Sequence, residues 1–393
     1  MDEAGTLSNH VPTATVEQLL QAPGACVIDL RSPAEFALDH VPGATNVPLF
    51  GDGERSLIGT LYKRVSADSA FAEARRQTER EIDRVVQGIA AACGWRPQAA
   101  SLAQRVRAMS EGGIDRLDQE LRPFALEHLG PRPVILHCWR GGLRSRSVTA
   151  LVRGLGLERA VALSGGYKQW RRAVVRGLET WRAPPAFVLR GLTGVGKTLV
   201  LRELARLRST WTCDLEGLAG HRSSILGMVG LEPVSQKRFE TRLFRRLSEI
   251  ASQAVIVFEG ESRKVGDRVL PGRVWEALDG GTNLELVAGT ERRVDVLLED
   301  YLERPGNRAE LRRQLPFIEE RLGPVRFAGK LVELLDAGRE RELVRLLLER
   351  YYDPLYRHSE RERPYATTIE ATDPRAAALE VARFVEARRD GAS

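Results

Sequence analysis

Cysteine is scarce in this 393-residue chain, with only four present. Cys26, Cys93, Cys138 and Cys213 lie far apart and in no paired spacing, which argues against a disulfide framework and against a cysteine-based zinc site. No apolar run approaches the roughly 18 residues of a membrane span. The first residues, Met1-Asp2-Glu3-Ala4-Gly5, are acidic and lack the apolar stretch of a secretory signal. The chain has no internal repeat and no Asn-Lys-x-Asp of the kind that reads a guanine base. These absences lead us to expect a cytoplasmic protein without a membrane partner, in a reducing compartment that keeps a thiolate free.

What is present describes a globular protein with room for two domains. Hydrophobic residues make up 43% and charged residues 28%. The formal net charge of +6 is carried mostly by arginine, which permits a polyanionic partner such as RNA. Solvated helix faces account for the same excess equally well.

Strand and helix alternate along the first half. Ala25 to Arg31 reads as a buried strand, Ser32-Pro33 as a helix start, His40 to Ala44 as a turn and Thr45 to Pro48 as a short strand. Arg/Glu/Ala-rich helices are expected from Ala67 to Cys93 and from Gln98 to His128. Strands follow at Pro133–His137 and Ala160–Leu163, with helices from Arg144 to Gly154 and from Tyr167 to Arg176. Trp181 to Pro185 reads as a linker. Beyond it come strands at Phe187–Arg190, Ala254–Phe258 and Leu284–Val287, and a helix over Lys197–Leu207. A mostly helical region runs from Arg293 to Tyr352, and an amphipathic helix covers about Pro374 to Arg388.

Two loops carry chemistry. The first, His137-Cys138-Trp139-Arg140-Gly141-Gly142-Leu143-Arg144-Ser145, places a cysteine between an apolar strand and a helix. Backbone N–H groups converge there at the positive end of the helix dipole, and Arg140 and Arg144 add charge, so thiolate is favoured over thiol. His137 precedes the nucleophile and should face the other way, as a packing residue and not a base. The other three cysteines read as packing residues.

The second loop, Gly191-Leu192-Thr193-Gly194-Val195-Gly196-Lys197-Thr198, is a complete Walker A pattern between a predicted strand and a predicted helix. Backbone N–H groups from Gly194 to Thr198 would wrap phosphates, Lys197 would supply a point charge, and Thr198 a hydroxyl for Mg²⁺. Asp214 with Glu216, or Glu259 with Glu261, could orient that ion through water, and Glu259 is the favoured member. With no base-reading motif, the loop suits a diphosphate that is not a nucleotide as well as one that is.

Asp29-Leu30-Arg31, His40-Val41-Pro42-Gly43-Ala44, the cysteine loop and Leu163-Ser164-Gly165-Gly166-Tyr167 stand in the order found in rhodaneses. The resemblance covers residues 12–178, with a helical insertion at about 51–128 that a minimal rhodanese lacks. It implies sulfur chemistry through a cysteine persulfide. The span Cys138 to Arg144 has seven members where many rhodaneses have six, as in phosphatase relatives of the fold, so sulfur, selenium and phosphoryl transfer all stay open.

A rhodanese-like domain followed by a P-loop domain over residues 185–393 resembles the tRNA 2-selenouridine synthases. Four further stretches support it: Asp214 to Arg222, Ser235 to Glu240, Phe258 to Gly266, and Tyr352-Asp353-Pro354-Leu355-Tyr356. Gly260 departs from the alanine expected there. The resemblance implies an α/β fold: a rhodanese-like domain, then a P-loop NTPase-like domain with a helical C-terminal region. It implies an enzyme that S-geranylates the wobble 2-thiouridine of tRNA with geranyl diphosphate, then replaces the geranylthio group with selenium from selenophosphate. Cys138 would carry the selenium, with Arg140, Gly141, Gly142 and Arg144 stabilising its anion. Gly191, Gly194, Gly196, Lys197 and Thr198 would hold the diphosphate, and Thr198 and Glu259 a Mg²⁺. No tightly bound cofactor is expected, and an enzyme supplying selenophosphate is an expected partner.

Arg222, Arg263, Lys237 and Arg238 are candidate tRNA or substrate contacts, as are His221, Arg171, Arg172, Arg176 and Arg182 with the interleaved Trp170 and Trp181. The competing reading is a cysteine-dependent sulfurtransferase or phosphatase fused to a kinase-like P-loop domain. A third is a non-catalytic RNA-binding NTPase with an inactive rhodanese module, which the intact Cys138 disfavours.

Overall fold

A computed structural model describes residues 10–98, 101–224, 226–250, 255–302, 306–355 and 363–390. The expected strand residue Ala254 and the motif residue Tyr356 lie outside these. The chain forms two compact units, Met1–Arg176 and Gly177–Ser393.

The first unit runs β1 (His10–Ala14), α1 (Val16–Leu20), β2 (Cys26–Asp29), α2 (Pro33–Leu38), β3 (Thr45–Asn46), α3 (Asp52–Arg64), α4 (Ala67–Cys93), α5 (Leu102–Ser110), α6 (Gly113–Glu120), β4 (Arg122–Ala125), β5 (Val134–His137), α7 (Leu143–Gly154) and β6 (Ala160–Leu163). Helix α8 (Gly166–Thr180) follows and contains the division between the units. Its six strands lie in the order β3-β2-β5-β6-β1-β4, and every neighbouring pair is parallel.

Because β5 lies inside this sheet, all four of its residues are buried and the loop after it emerges at the sheet's carboxyl end. Helix α4 begins at Ser66, whose side chain accepts from Ser69 N, and stops at Gly94 in the left-handed conformation. Its apolar face, Ile82, Val85, Val86 and Ile89, packs with Ile28, Leu136, Val148 and Leu151 in one core.

Several expectations need correction here. The region expected to be helical to His128 ends in a strand, β4, which pairs with β1 from Thr13 opposite Ala125 to His10 opposite Arg122. This strand is exposed along its whole length, so its sequence lacks the apolar alternation that would mark it. Strand β1, the short α1 and the 13-residue α3 were also not foreseen. Ser32 does stand at the N-cap of α2 with Pro33 next, but its side chain makes no cap hydrogen bond.

The second unit runs β7 (Ala186–Arg190), α9 (Lys197–Leu207), β8 (Thr212–Cys213), α10 (Leu215–Ala219), α11 (Gln236–Glu249), β9 (Ile256–Glu259), the hairpin β10 (Lys264–Val265) and β11 (Arg268–Val269), α12 (Gly272–Asp279) and β12 (Thr282–Val287). A helical group follows: α13 (Thr290–Leu302), α14 (Asn307–Leu322), α15 (Pro324–Phe327), α16 (Lys330–Asp336) and α17 (Glu340–Leu347), which continues as a π-turn to Tyr352. Strand β13 (Thr367–Glu370), again unforeseen, and a C-terminal helix (Pro374–Asp390) complete it.

The parallel order is β13-β12-β7-β9-β8, so the connection leaving β7 runs toward β8 while those leaving its neighbours β9 and β12 run the opposite way. Ligands of open parallel sheets collect at such a switch point, outside the carboxyl ends of the strands. Two cores serve this unit. One packs α9 and the C-terminal helix on the sheet, and the other gathers Leu297, Leu315, Leu331 and Tyr352 among the later helices.

Candidate active sites

Cys138 is 2% exposed, with its Sγ 3.3 Å from Ser145 Oγ. Burial pushes this thiol up, but Arg144, the Ser145 hydroxyl and the backbone N–H groups of Ser145 and Arg140 outweigh it, and the net shift is downward. Burial raises Cys26, Cys93 and Cys213 instead. The polarised thiol is therefore Cys138, the one the sequence singled out. His137 is fully buried with Nε2 3.7 Å from Asp29 Oδ2, and burial lowers its basicity. It is a neutral packing residue, as its strand position suggested.

The Gly165-Gly166 pair builds the floor of this loop. Tyr167 N donates to Cys138 O and Lys168 N to Trp139 O, both at 2.9 Å. That approach requires two bare backbones in the left-handed region. A Cβ on Gly141 (φ +66°) would stand 2.7 Å from Leu163 O, and one on Gly166 (φ +57°) 2.4 Å from Cys138 O. Gly142 is the N-cap of α7. Arg140 is exposed and Arg144 half-buried. An open cleft above the loop is walled on one side by Arg55, Tyr62 and Lys63 of α3 and Phe71 of α4. Part of the insertion thus faces the cysteine, which its sequence did not reveal.

In the second unit the phosphate loop follows β7 and opens α9, with Gly196 as N-cap. Lys197 Nζ donates to Gly191 O at 2.9 Å and Leu192 O at 3.4 Å. Strand β9 pairs directly with β7, placing Glu259 opposite Leu189. Thr198 Oγ1 donates to Glu259 Oε2 at 3.2 Å and lies 3.5 Å from Glu216 Oε2. Glu259 Oε1 also accepts from Glu216 N at 2.7 Å.

Glu259 is held well above the usual carboxylate range by burial and then by Glu216. Burial also raises Glu216, and burial followed by the charge of Glu216 pushes Glu261 up to about 8. A hydroxyl facing buried, mutually repelling carboxylates is a donor set suited to a hard cation. Among the described residues no group of three or more His, Cys, Asp or Glu is arranged to hold a metal by itself. A Mg²⁺ here would thus draw its remaining ligands from phosphate and water. Asp214 instead caps α10, accepting from Gly217 N.

Residues 184–387 match the family model for the AAA domain of tRNA 2-selenouridine synthase. The tRNA 2-selenouridine synthase of Chromohalobacter salexigens is 29% identical over 88% of this chain and 90% of its own. That of Cupriavidus pinatubonensis is 31% identical over 86% and 90%, and that of Shewanella sediminis 29% over 89% and 91%.

The chain belongs to the tRNA 2-selenouridine synthase family.

The motifs that carried the family resemblance have structural roles. Asp353 accepts from Arg293 Nη1 at 3.1 Å and Nη2 at 2.5 Å, and Arg293 Nε donates to Thr193 O at 2.8 Å. Arg293 thereby braces the phosphate loop from α13, with Gly194 packed against its backbone. Sequence reading missed this arginine because nothing local distinguishes it from its neighbour Arg292. Gly260 N donates to Leu189 O at 2.7 Å, and a Cβ at Gly260 would come within 2.9 Å of that oxygen. The departure from alanine thus relieves a tight contact.

Of the basic candidates of this synthase-family chain, Arg222 lines the cleft around the phosphate loop, donating to Val229 O at 2.9 Å and stacking 5.4 Å from Tyr301. Lys237 and Arg238 open α11, and neither they nor the exposed Arg263 lines that cleft. Trp170, expected beside them as a stacking residue, is 2% exposed and belongs to the core. Within α8 the pattern is that of an apolar and a polar face, with Trp170 buried and Arg172 and Arg176 exposed, while Trp181 and Arg182 lie beyond the helix. Among the described residues no helix is long and apolar enough to cross a membrane.

Proposed function

We propose that this chain converts the wobble 2-thiouridine of tRNA into 2-selenouridine in two steps. The phosphate loop, Gly191 to Thr198, binds the diphosphate of geranyl diphosphate, and Lys197 stabilises the pyrophosphate that leaves as the base sulfur is alkylated. Alkylation turns a poor leaving group into a thiol. Selenium from selenophosphate then displaces it: the phosphoryl group passes to water, the selenide so released adds to the carbon that bears sulfur, and the geranylthiol leaves, with Cys138, Arg140, Arg144 and the Gly141-Gly142 backbone holding the selenium anion at the loop. Thr198 and Glu259 would hold a Mg²⁺ that neutralises phosphate charge. An enzyme making selenophosphate supplies the second step, and both run in the cytoplasm.

The observation that carries this reading is the Cys138 thiol, the only one of the four cysteines shifted downward, set in an arginine-bearing loop. The test is mass spectrometry of nucleosides from 2-thiouridine tRNA incubated with each donor alone and with both. Wild type should yield geranylthiouridine from the first donor and selenouridine from the pair. Cys138→Ala should stop at geranylthiouridine, and Lys197→Ala should lose the first step. Unchanged nucleosides with wild type would sink the proposal in favour of a sulfurtransferase or phosphatase.

A further inference from the structure

The cysteine cleft does not end at its loop. Through Phe50, Phe71, Ala74, Leu143 and Arg144 it continues into a cavity of about 110 Å³ between α4, α5, α6 and α7. The far walls are Ile82, Val106, Met109, Leu117, Val148 and Leu151. Most of the polar groups around it are occupied elsewhere. Thr78 Oγ1 donates to Ala74 O at 2.7 Å, Ser110 Oγ to Val106 O at 2.8 Å, and Arg75 pairs with Glu79 at 2.9 Å.

A buried water needs two to four polar partners, so a carbon-lined space of this kind stays dry and takes apolar ligands. A void also lowers stability in proportion to its volume, which gives no reason for the fold to keep it unfilled. Of the two arginines that line it, Arg75 pairs with Glu79 and Arg144 stands at the end shared with Cys138. An occupant must therefore be hydrocarbon along its length and polar or anionic at the end nearest the cysteine.

We infer that this cavity seats the hydrocarbon chain of the S-alkylated base while its sulfur lies at the cysteine loop. The inference rests on the proposed function, in which an alkylthiol is the group displaced. A cavity of about 150 Å³ lined by aliphatic and aromatic side chains admits benzene, so this smaller one holds about four carbons, and a longer chain would extend into the open cleft.

The test uses the full chain and RNA stem-loops bearing S-hexyl- or S-methyl-2-thiouridine, with selenophosphate as donor. Val106→Phe and Thr78→Leu each fill the far end of the cavity and leave the cysteine loop untouched. Wild type should show a KM at least tenfold lower for the S-hexyl substrate. Either variant should raise that KM at least tenfold without changing kcat or S-methyl turnover, which also reports that the variant is folded. Equal KM values in wild type, or a variant that affects both substrates alike, would overturn the inference and leave the two-step reaction intact. If wild type turns over neither substrate, the functional reading fails and calorimetry with hexanethiol decides the cavity: binding to wild type that Thr78→Leu abolishes supports it, and no binding to wild type overturns it.

Discussion

The guanidinium of Arg31 lies 3.7 Å from the centroid of the Tyr167 ring, joining two motifs far apart in sequence. Arg31 also pairs with Asp29 at 2.6 Å and donates to Asp39 O at 2.7 Å, while Tyr167 OH donates to Asp39 Oδ2 at 2.7 Å. All four side chains are buried. Tyr167→Phe should keep the stacking but strip a buried carboxylate of a donor, destabilising the protein by about 1–3 kcal/mol. Urea unfolding of the pair of proteins measures this.

Cys138 should be the cysteine that ionises first. The ultraviolet thiolate band is expected to emerge at lower pH in wild type than in Cys138→Ser. Arg144→Ala removes the leading charge that opposes burial, so its band should emerge only at higher pH. A wild-type band that survives Cys138→Ser would assign the thiolate to another cysteine.

Gly166→Ala forces a Cβ against the backbone of Cys138 and Gly141. The expected cost is about 2–3 kcal/mol, from positive φ together with displacement of the loop. Geranylthiouridine should still form and its conversion to selenouridine should fall, as read by nucleoside mass spectrometry beside a thermal melt.

The carboxylates behind the phosphate loop make stability depend on pH. Glu261 is pushed up to about 8, so the folded state retains a proton that the unfolded chain gives up near the ordinary carboxylate value. The associated stability is present in acid and is lost as pH climbs through that window to about 8. Thermal melts of metal-free protein should therefore fall between about pH 5 and about pH 8. Glu261→Gln should flatten the curve, and Mg²⁺ should raise the melting temperature more at the alkaline end.

Asp353→Ala leaves Arg293 buried without its bidentate partner. Breaking such a pair costs about 3 kcal/mol. Because Arg293 also holds Thr193 O, affinity for inorganic pyrophosphate should drop by about tenfold, or ~1.4 kcal/mol. Urea unfolding gives the first number and calorimetric titration the second, and unchanged affinity would confine Asp353 to a purely structural role.

Much of this was readable from the chain because local chemistry and fold agree. A phosphate loop needs its glycines and its lysine in a fixed order, and helices α4 and α9 begin and end where their polar and apolar patterns do. The exposed β4 was not readable, since its place comes from pairing with β1 and not from its own side chains. Nor was Arg293, whose role depends on a carboxylate 60 positions later. The apolar cavity was likewise hidden: Val106 and Leu117 look like any core residues until the helices are placed around them.

The six-stranded sheet has β3 at one margin and β4 at the other, and the helices α3 to α6 are the chain that joins them. The insertion is therefore a strap fastened to both sides of the sheet and not a lobe hung from one loop. Excising it would remove the strand that shields β1 and expose that strand's hydrogen-bonding groups as a free edge. A shortened version could not simply reconnect β3 to β5. It would also need a substitute for the margin that the strap brings with it.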